Sequence, residues 1–292
     1  MRILLLGNTG QLGWELERAL ISLGEVTALD YPAIDLAKPE SIRSLVRNLQ
    51  PQVIVNATAY TAVDQAESDI DLAKAVNATA PGILAEEANA LGAALVHYST
   101  DYVFDGAKGA SYVEADAPNP LNVYGRTKLT GEQAIQQAGG VFLIMRTAWV
   151  YSLRRESFVS KVLQWARGQR VMRVVEDQVS NPTWVRVLAE ATAQVLVKGG
   201  KNVVDWLAER RGLYHLAGDG HASRYEWAQA ILRLDPRREE QVVEQVLPAL
   251  TANFPAPAQR PLFSALDCCR FTQVFGVCLP PWEVALRLAM GR

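Results

Sequence analysis

The sequence predicts an α/β fold, a doubly wound parallel sheet with helices on both faces followed by a smaller mixed C-terminal lobe, on three observations. Short apolar runs alternate with helical patterns over the first half of the chain. Runs such as RILLLG, VIVNATA and ALVHYST are continuously apolar, as strands covered on both faces are. A glycine-rich turn, GNTGQLG, joins the first run to the first helix.

The elements follow in order. RILLLG is a strand, Leu12 to Leu23 a helix and VTALD a second strand ending at Asp30. A short third strand is expected to end at Asp35, before a helix that opens at PESIRSLV with proline in its first turn. VIVNATA is then the fourth strand, DLAKAVNATAPGILAEEANALG a helix, and ALVHYST the fifth strand, with Thr100 at its end. Asn122 to about Gln137 is a helix leading into VFLIMRTAWVY. Beyond Tyr151 the rhythm loosens into a loop, SLRRESF, a helix from Phe158 to Arg167, a strand and turn at RVMRVVEDQ and a helix at VRVLAEATAQVLV. GLYHLAG, SRYEWAQAIL and NFPAPAQRP are assigned to the smaller lobe. The expected division is 1–150 for a dinucleotide-binding domain and 151–292 mainly for a substrate lobe, with about 171–198 returning to the first domain.

Composition narrows the function. With 292 residues, 49% hydrophobic and 21% charged, the chain can bury a full core. A formal net charge of -2 provides no basic excess for nucleic acid or an anionic membrane, which leaves small-molecule chemistry. Cys268, Cys269 and Cys278 are few, odd in number and without CxxC spacing, as in a reduced cytoplasmic protein. His97, His215 and His221 have no metal-ligand spacing, so no catalytic metal is expected. No signal peptide or membrane span is expected.

Gly7, Gly10 and Gly13 form a GxxGxxG turn between strand and helix. The first permits the turn, the second lets the backbone approach a pyrophosphate, and the third lets helix pack on strand. Asp30 stands where a carboxylate accepts from adenosine ribose hydroxyls, which favours NAD(H) over a 2'-phosphate. Asp35 either reaches the adenine edge or merely ends a strand. Tyr124 and Lys128, spaced i and i+4, share a helix face, and an ammonium near a phenol lowers its pKa toward that of a working acid. Gly125 to Thr127 serve only as the spacer. Ser99 or Thr100 could hydrogen-bond a substrate carbonyl, or simply satisfy a turn.

Thr100, Tyr124 and Lys128 beside GNTGQLG resemble the motifs of the extended short-chain dehydrogenases/reductases, whose dinucleotide domain is of Rossmann type. More narrowly, VNATAYTAVDQAE, HYSTDYVF, PLNVYGRTKLTGE, RTAWVY, DQVSNPT and GLYHLAG are similar to the dTDP-4-dehydrorhamnose reductases, from residue 1 to about 220 and again at PAQRP and LPPWEVAL. The resemblance implies reduction of a dTDP-4-dehydrorhamnose C4 ketone by NADPH or NADH. Tyr124 would be the proton donor, Lys128 its activator and a holder of the nicotinamide ribose, and Thr100 the residue orienting the carbonyl. Cofactor contacts are expected at Gly7, Gly10, Gln11, Leu12, Gly13, Asp30, Asp35, Leu36, Ala57, Ala59, Asn77, Tyr124 and Lys128, with Asn77 also organising a proton relay. Substrate contacts are expected at Thr61, Val63, Thr100, Asp101 and Trp149, although Trp149 is also readable as core packing.

SLRRESF departs from the Gly/Asn-rich segment of the family, and Arg154 and Arg155 are either a solvated pair or partners of a substrate diphosphate. Some members of the family hold Mg2+ at a dimer contact. Only Glu15 is a candidate ligand here, and a homodimer is allowed. A dehydratase would carry an Asp-Glu pair after the threonine, where this chain reads Thr100-Asp101-Tyr102. The motifs also admit an epimerase of the same superfamily, or a non-catalytic NAD(P)-binding subunit, which would have no need of all three reacting residues.

Overall fold

The computed structural model describes residues 1–291. The chain begins with β1 (Arg2–Leu6), α1 (Gln11–Leu20), β2 (Glu25–Leu29), α2 (Pro39–Leu49) and β3 (Val53–Asn56). After α3 (Ile70–Lys74), a π-helical stretch at Ala75–Thr79 runs into α4 (Ala80–Leu91). Next come β4 (Ala94–Thr100), α5 (Val123–Ala138), β5 (Val141–Thr147) and β6 (Val150–Tyr151). The later chain forms α6 (Phe158–Gly168), β7 (Val171–Val175), β8 (Val179–Ser180), β9 (Thr183–Trp184), α7 (Val185–Gly199) and α8 (Val203–Ala208). It closes with β10 (Gly212–His215), β11 (Ala222–Ser223), α9 (Arg224–Leu234), β12 (Gln245–Ala249), α10 (Cys269–Phe275) and α11 (Trp282–Ala289).

Six parallel strands make the main sheet in the order β10-β5-β4-β3-β1-β2. Every residue of β3 and β4 is buried, because helices cover both faces. Leu12, Leu16 and Leu20 of α1 pack with Leu188, Val195 and Leu196 of α7 over one face. Ile42 and Val46 of α2, Ile83 and Leu84 of α4 and Ile135 of α5 cover the other. A separate core around Tyr151, Val162, Met172 and Trp227 holds α6, α9 and α11 together. Among the described residues, no helix is long and apolar enough to cross a membrane.

Two expectations change. No strand ends at Asp35: the chain turns between β2 and α2, Asp35 accepts from the Ala37 N–H at 3.0 Å, and Ile34 and Leu36 drop singly into the core, so VIVN is the third strand and ALVHYST the fourth. GLYH, assigned from sequence to the lobe, is instead the edge strand of the main sheet beside β5, where Tyr214 and Leu216 complete its core.

The chain leaves β1 toward β2 on one side and crosses to β3 on the other, so β1 and β3 flank the switch point where open α/β sheets bind ligands beyond their carboxyl ends.

Candidate active site at the switch point of the sheet

The glycine turn sits at that switch point, and its spacing is steric. Gly7 has φ 87°, a conformation that favours glycine, and a Cβ there would stand 2.9 Å from Thr58 Cγ2 and 3.1 Å from the Ala57 carbonyl. A Cβ on Gly13 would lie 1.9 Å from the Gly7 carbonyl oxygen, so only glycine lets α1 come this close to the turn. Gly10 caps α1 without a side-chain hydrogen bond, which leaves first-turn N–H groups and the positive helix end available to an anion. Gln11 adds a buried Oε1 that has no partner. A bare helix end and a cradle that admits no side chain are what a dinucleotide pyrophosphate fits.

Asp30 anchors this turn: its Oδ2 accepts from Thr9 Oγ1 at 2.5 Å and its Oδ1 from the Tyr31 N–H at 2.8 Å. Asp35 is tied to Ala37 and pairs with Lys38 at 3.2 Å. Leu12 and Leu36 point into the two cores on either side of the sheet, so only their backbone faces the switch point. Ala57 and Ala59 keep the exit from β3 low.

At the end of β4 the reacting candidates meet. The Tyr124 phenol lies beside Thr100, whose Oγ1 accepts from the Tyr102 N–H at 3.1 Å and donates to Asp101 Oδ1 at 3.2 Å. Asp101 is buried, and its Oδ2 accepts from Ser264 Oγ at 2.5 Å and Ser180 Oγ at 3.0 Å. Burial pushes its carboxyl up to about 6, with the serine and threonine bonds pulling the other way.

Lys128 does not meet Tyr124 as expected. Its stem is packed between α5 and β4 at 1% exposure, and a buried nitrogen must take the partners the sheet offers. Nζ donates to the Tyr98 carbonyl at 2.7 Å and lies 3.2 Å from His97 Nε2. Burial lowers its pKa to about 8, and burial raises that of Tyr124 above its ordinary value, so the phenol is held as an acid. Gly125 and Thr127 are more than a spacer. A Cβ on Gly125 would stand 2.2 Å from the Tyr102 carbonyl, and Thr127 Oγ1 accepts from Asn77 Nδ2 at 3.2 Å.

Asn77, on the π-helical stretch, is wholly buried and also clasps the Tyr60 backbone, N–H to Oδ1 at 2.9 Å and carbonyl to Nδ2 at 3.1 Å. It therefore fixes the loop that carries Thr61 and Val63 to α5. Asn122 caps α5 by accepting from the Gly125 N–H at 2.8 Å and reaches the Gln259 carbonyl at 2.7 Å, while Glu67 accepts from the Val123 N–H at 2.7 Å.

The lobe closes the other side. Trp149, at φ 40°, lies parallel to Trp227 with centroids 5.6 Å apart, and the Arg224 guanidinium covers it at 3.6 Å. Trp149 packs against Trp227, as its core reading expects, and also carries the Arg224 cation. Arg224 and Arg260 both lie near Tyr102, and Arg260 is paired with Asp64. Sequence reading missed Arg224, Ser180, Ser264 and His97, since nothing local marks them.

Arg154 stacks on Trp14 at 4.4 Å, on the outside of α1, with Arg18 on the same ring at 3.3 Å. Glu15 lies among Arg186, Arg18, Glu190 and Arg154, and burial raises its pKa. That cationic surrounding does not suit Mg2+, and among the described residues no group of three or more His, Cys, Asp or Glu could hold a metal ion.

A glycine turn at the switch point with a Thr-Tyr-Lys group at the neighbouring strand end places the fold among the extended short-chain dehydrogenases/reductases. The model of the family described as the RmlD substrate binding domain matches residues 1–292. A dTDP-4-dehydrorhamnose reductase of Burkholderia thailandensis is 41% identical, over 99% of this chain and 98% of its own length. Among solved structures, that of a dTDP-4-dehydrorhamnose reductase from Clostridium acetobutylicum superposes with TM-score 0.91 at 33% identity, covering 100% of this chain and 99% of its own. That of Bacillus anthracis, in complex with NADP, gives 0.87 at 31%, covering 98% and 97%. The chain belongs to the dTDP-4-dehydrorhamnose reductase family.

Proposed function

We propose that the chain reduces the C4 ketone of dTDP-4-dehydro-L-rhamnose to dTDP-L-rhamnose, using NADPH or NADH. The observation that carries this reading is the placing of the Tyr124 phenol beside Thr100 at the carboxyl end of β4, near the glycine turn. The nicotinamide, when bound, supplies the hydride. Gly7, Gly10, Gly13 and the uncapped start of α1 would hold its dinucleotide, with Asp30 at the ribose.

Tyr124 donates the proton to the oxygen that becomes the alcohol; its raised pKa keeps the phenol protonated until charge develops on that oxygen. Thr100, oriented by the Tyr102 N–H and Asp101, presents its hydroxyl to the same carbonyl. Trp149, Thr61 and Val63 border the sugar side, with Arg224 offering positive charge next to Trp149. Tyr102 stands where a dehydratase would carry its second acid, so the site is equipped to add hydrogen to a ketone and not to eliminate water.

The cytosolic location rests on the free thiols of Cys268, Cys269 and Cys278. A homodimer rests on the family resemblance alone, and light scattering in solution tests it.

The direct test is to mix the protein with dTDP-4-dehydro-6-deoxyglucose, the epimerase that precedes it, and NADPH or NADH. Loss of nicotinamide absorbance with formation of a dTDP-6-deoxyhexose is expected. No loss with either cofactor would overturn the reading.

A further inference from the structure

Asn56 of β3, His97 of β4 and Lys128 of α5 form a line of polar side chains almost wholly removed from solvent, at 0%, 0% and 1% exposure. The hydrogen bonds along it leave little freedom. Asn56 Oδ1 faces the Thr58 backbone N–H at 3.1 Å and the Thr58 hydroxyl at 2.5 Å. A backbone N–H can only donate, so the atom facing it is the oxygen, and the orientation of the Asn56 amide is settled. Its Nδ2, at 3.1 Å from His97 Nδ1, can only donate in turn. Nδ1 is therefore the acceptor, and the proton of the neutral ring is on Nε2.

That proton points at Lys128 Nζ, 3.2 Å away. An ammonium has no lone pair with which to accept it, and two N–H groups would face each other in a site closed to bulk solvent. A neutral amine accepts from Nε2–H and still donates to the Tyr98 carbonyl at 2.7 Å. A charged imidazole does not resolve the conflict, because burial holds its pKa well below the usual value.

The other groups around Nζ do not reverse this. Glu132, one turn further along α5, favours the ammonium, but Arg146 from β5 already binds it at 2.9 and 2.6 Å. Tyr124, one turn earlier, is a neutral phenol whose pKa burial raises. Asn77 and Asn56 are uncharged.

We propose that His97 is a positioning residue that sets the charge of Lys128: Asn56 locks it in the Nε2–H tautomer, and the N–H so aimed favours the neutral amine. Lys128 is then a group that gains and loses a proton near neutrality, not a permanent cation beside the cofactor. The lowering of its pKa to about 8 agrees with this. The inference rests on the reductase reading, in which Lys128 lies on the cofactor side of the site.

The test is nuclear magnetic resonance on the full chain, with turnover measured separately so that a failure here is distinguishable from a failure of the reductase reading. With three histidines in the sequence, long-range 1H–15N spectra resolve each ring. His97 should show the neutral Nε2–H tautomer from about pH 6 to 9, and the Lys128 ε-carbon should titrate near 8. An Nδ1–H ring, an imidazolium, or a Lys128 that titrates as an ordinary lysine would overturn the proposal. Asn56→Asp offers Nδ1 an acceptor, turns the tautomer over and lets Nε2 accept from an ammonium. Lys128 should then hold its proton more than about tenfold more tightly, and the alkaline limb of kcat/KM should move with it. In Asn56→Asp/His97→Phe the same carboxylate acts without the ring, and a shift equal to that of the single variant would also overturn the proposal.

Discussion

Asp64 and Arg260, 196 positions apart, hold each other through two parallel hydrogen bonds of 2.5 and 2.6 Å. The pair joins the loop after β3 to the C-terminal segment that Asn122 also grips at Gln259, and it closes the chain over Tyr102. Asp64 is nearly half exposed, so the pair adds little to global stability, under about 1 kcal/mol. Asp64→Ala should leave the denaturation midpoint almost unchanged while raising KM for the nucleotide sugar roughly tenfold, about 1.4 kcal/mol, through loss of a preformed cleft. An unchanged KM would show that the clasp does not shape the substrate side.

Tyr124→Phe removes the proton donor and little else. Turnover should fall by roughly 10²–10⁴-fold, with cofactor affinity by fluorescence titration unaltered. A near-native kcat would remove Tyr124 from the acid role.

Asp30 binds Thr9 and the Tyr31 N–H at the glycine turn, and the proposed function puts it at the ribose. Asp30→Ala should weaken NADH more than NADPH, because only the carboxylate that accepts from ribose hydroxyls, and repels a 2'-phosphate, is lost. Equal losses for the two cofactors would mean that Asp30 serves the turn alone.

Asp101 makes stability depend on pH. Its folded pKa of about 6 lies above the ordinary 3.8, so the folded state binds protons more tightly than the unfolded chain. Stability is therefore greatest below about pH 4 for this group and is lost as pH rises through 6, by about 3 kcal/mol in total. Chemical denaturation of Asp101→Asn against the native chain should show a difference that changes by about 2 kcal/mol between pH 4 and 7. Parallel curves would place the carboxyl outside the buried network.

Much of this was legible in the sequence because it is local. The glycine turn, strand-end Thr100 and the Tyr124/Lys128 spacing are each decided by neighbours in the chain, and a strand buried on both faces announces itself as an apolar run. What was not legible depends on pairing across the sheet or between lobes. Nothing near Asp35 distinguished a short strand from an Asx turn, and GLYH resembles a lobe strand until β5 is beside it. The partners of Asp101 come from positions 180 and 264. Lys128 was assigned to Tyr124 because they share a helix face, but the Tyr98 carbonyl and the His97 ring decide where its nitrogen goes.

The central claim, hydride delivery to the sugar ketone, is tested most directly with NADPH carrying deuterium at the transferable position of nicotinamide C4. The account predicts one oxidised cofactor per product and a single deuterium at C4 of dTDP-L-rhamnose, seen as a one-unit mass increase and the loss of the H4 proton resonance. Product without label at C4, or turnover in which the cofactor is regenerated and never consumed, would contradict it.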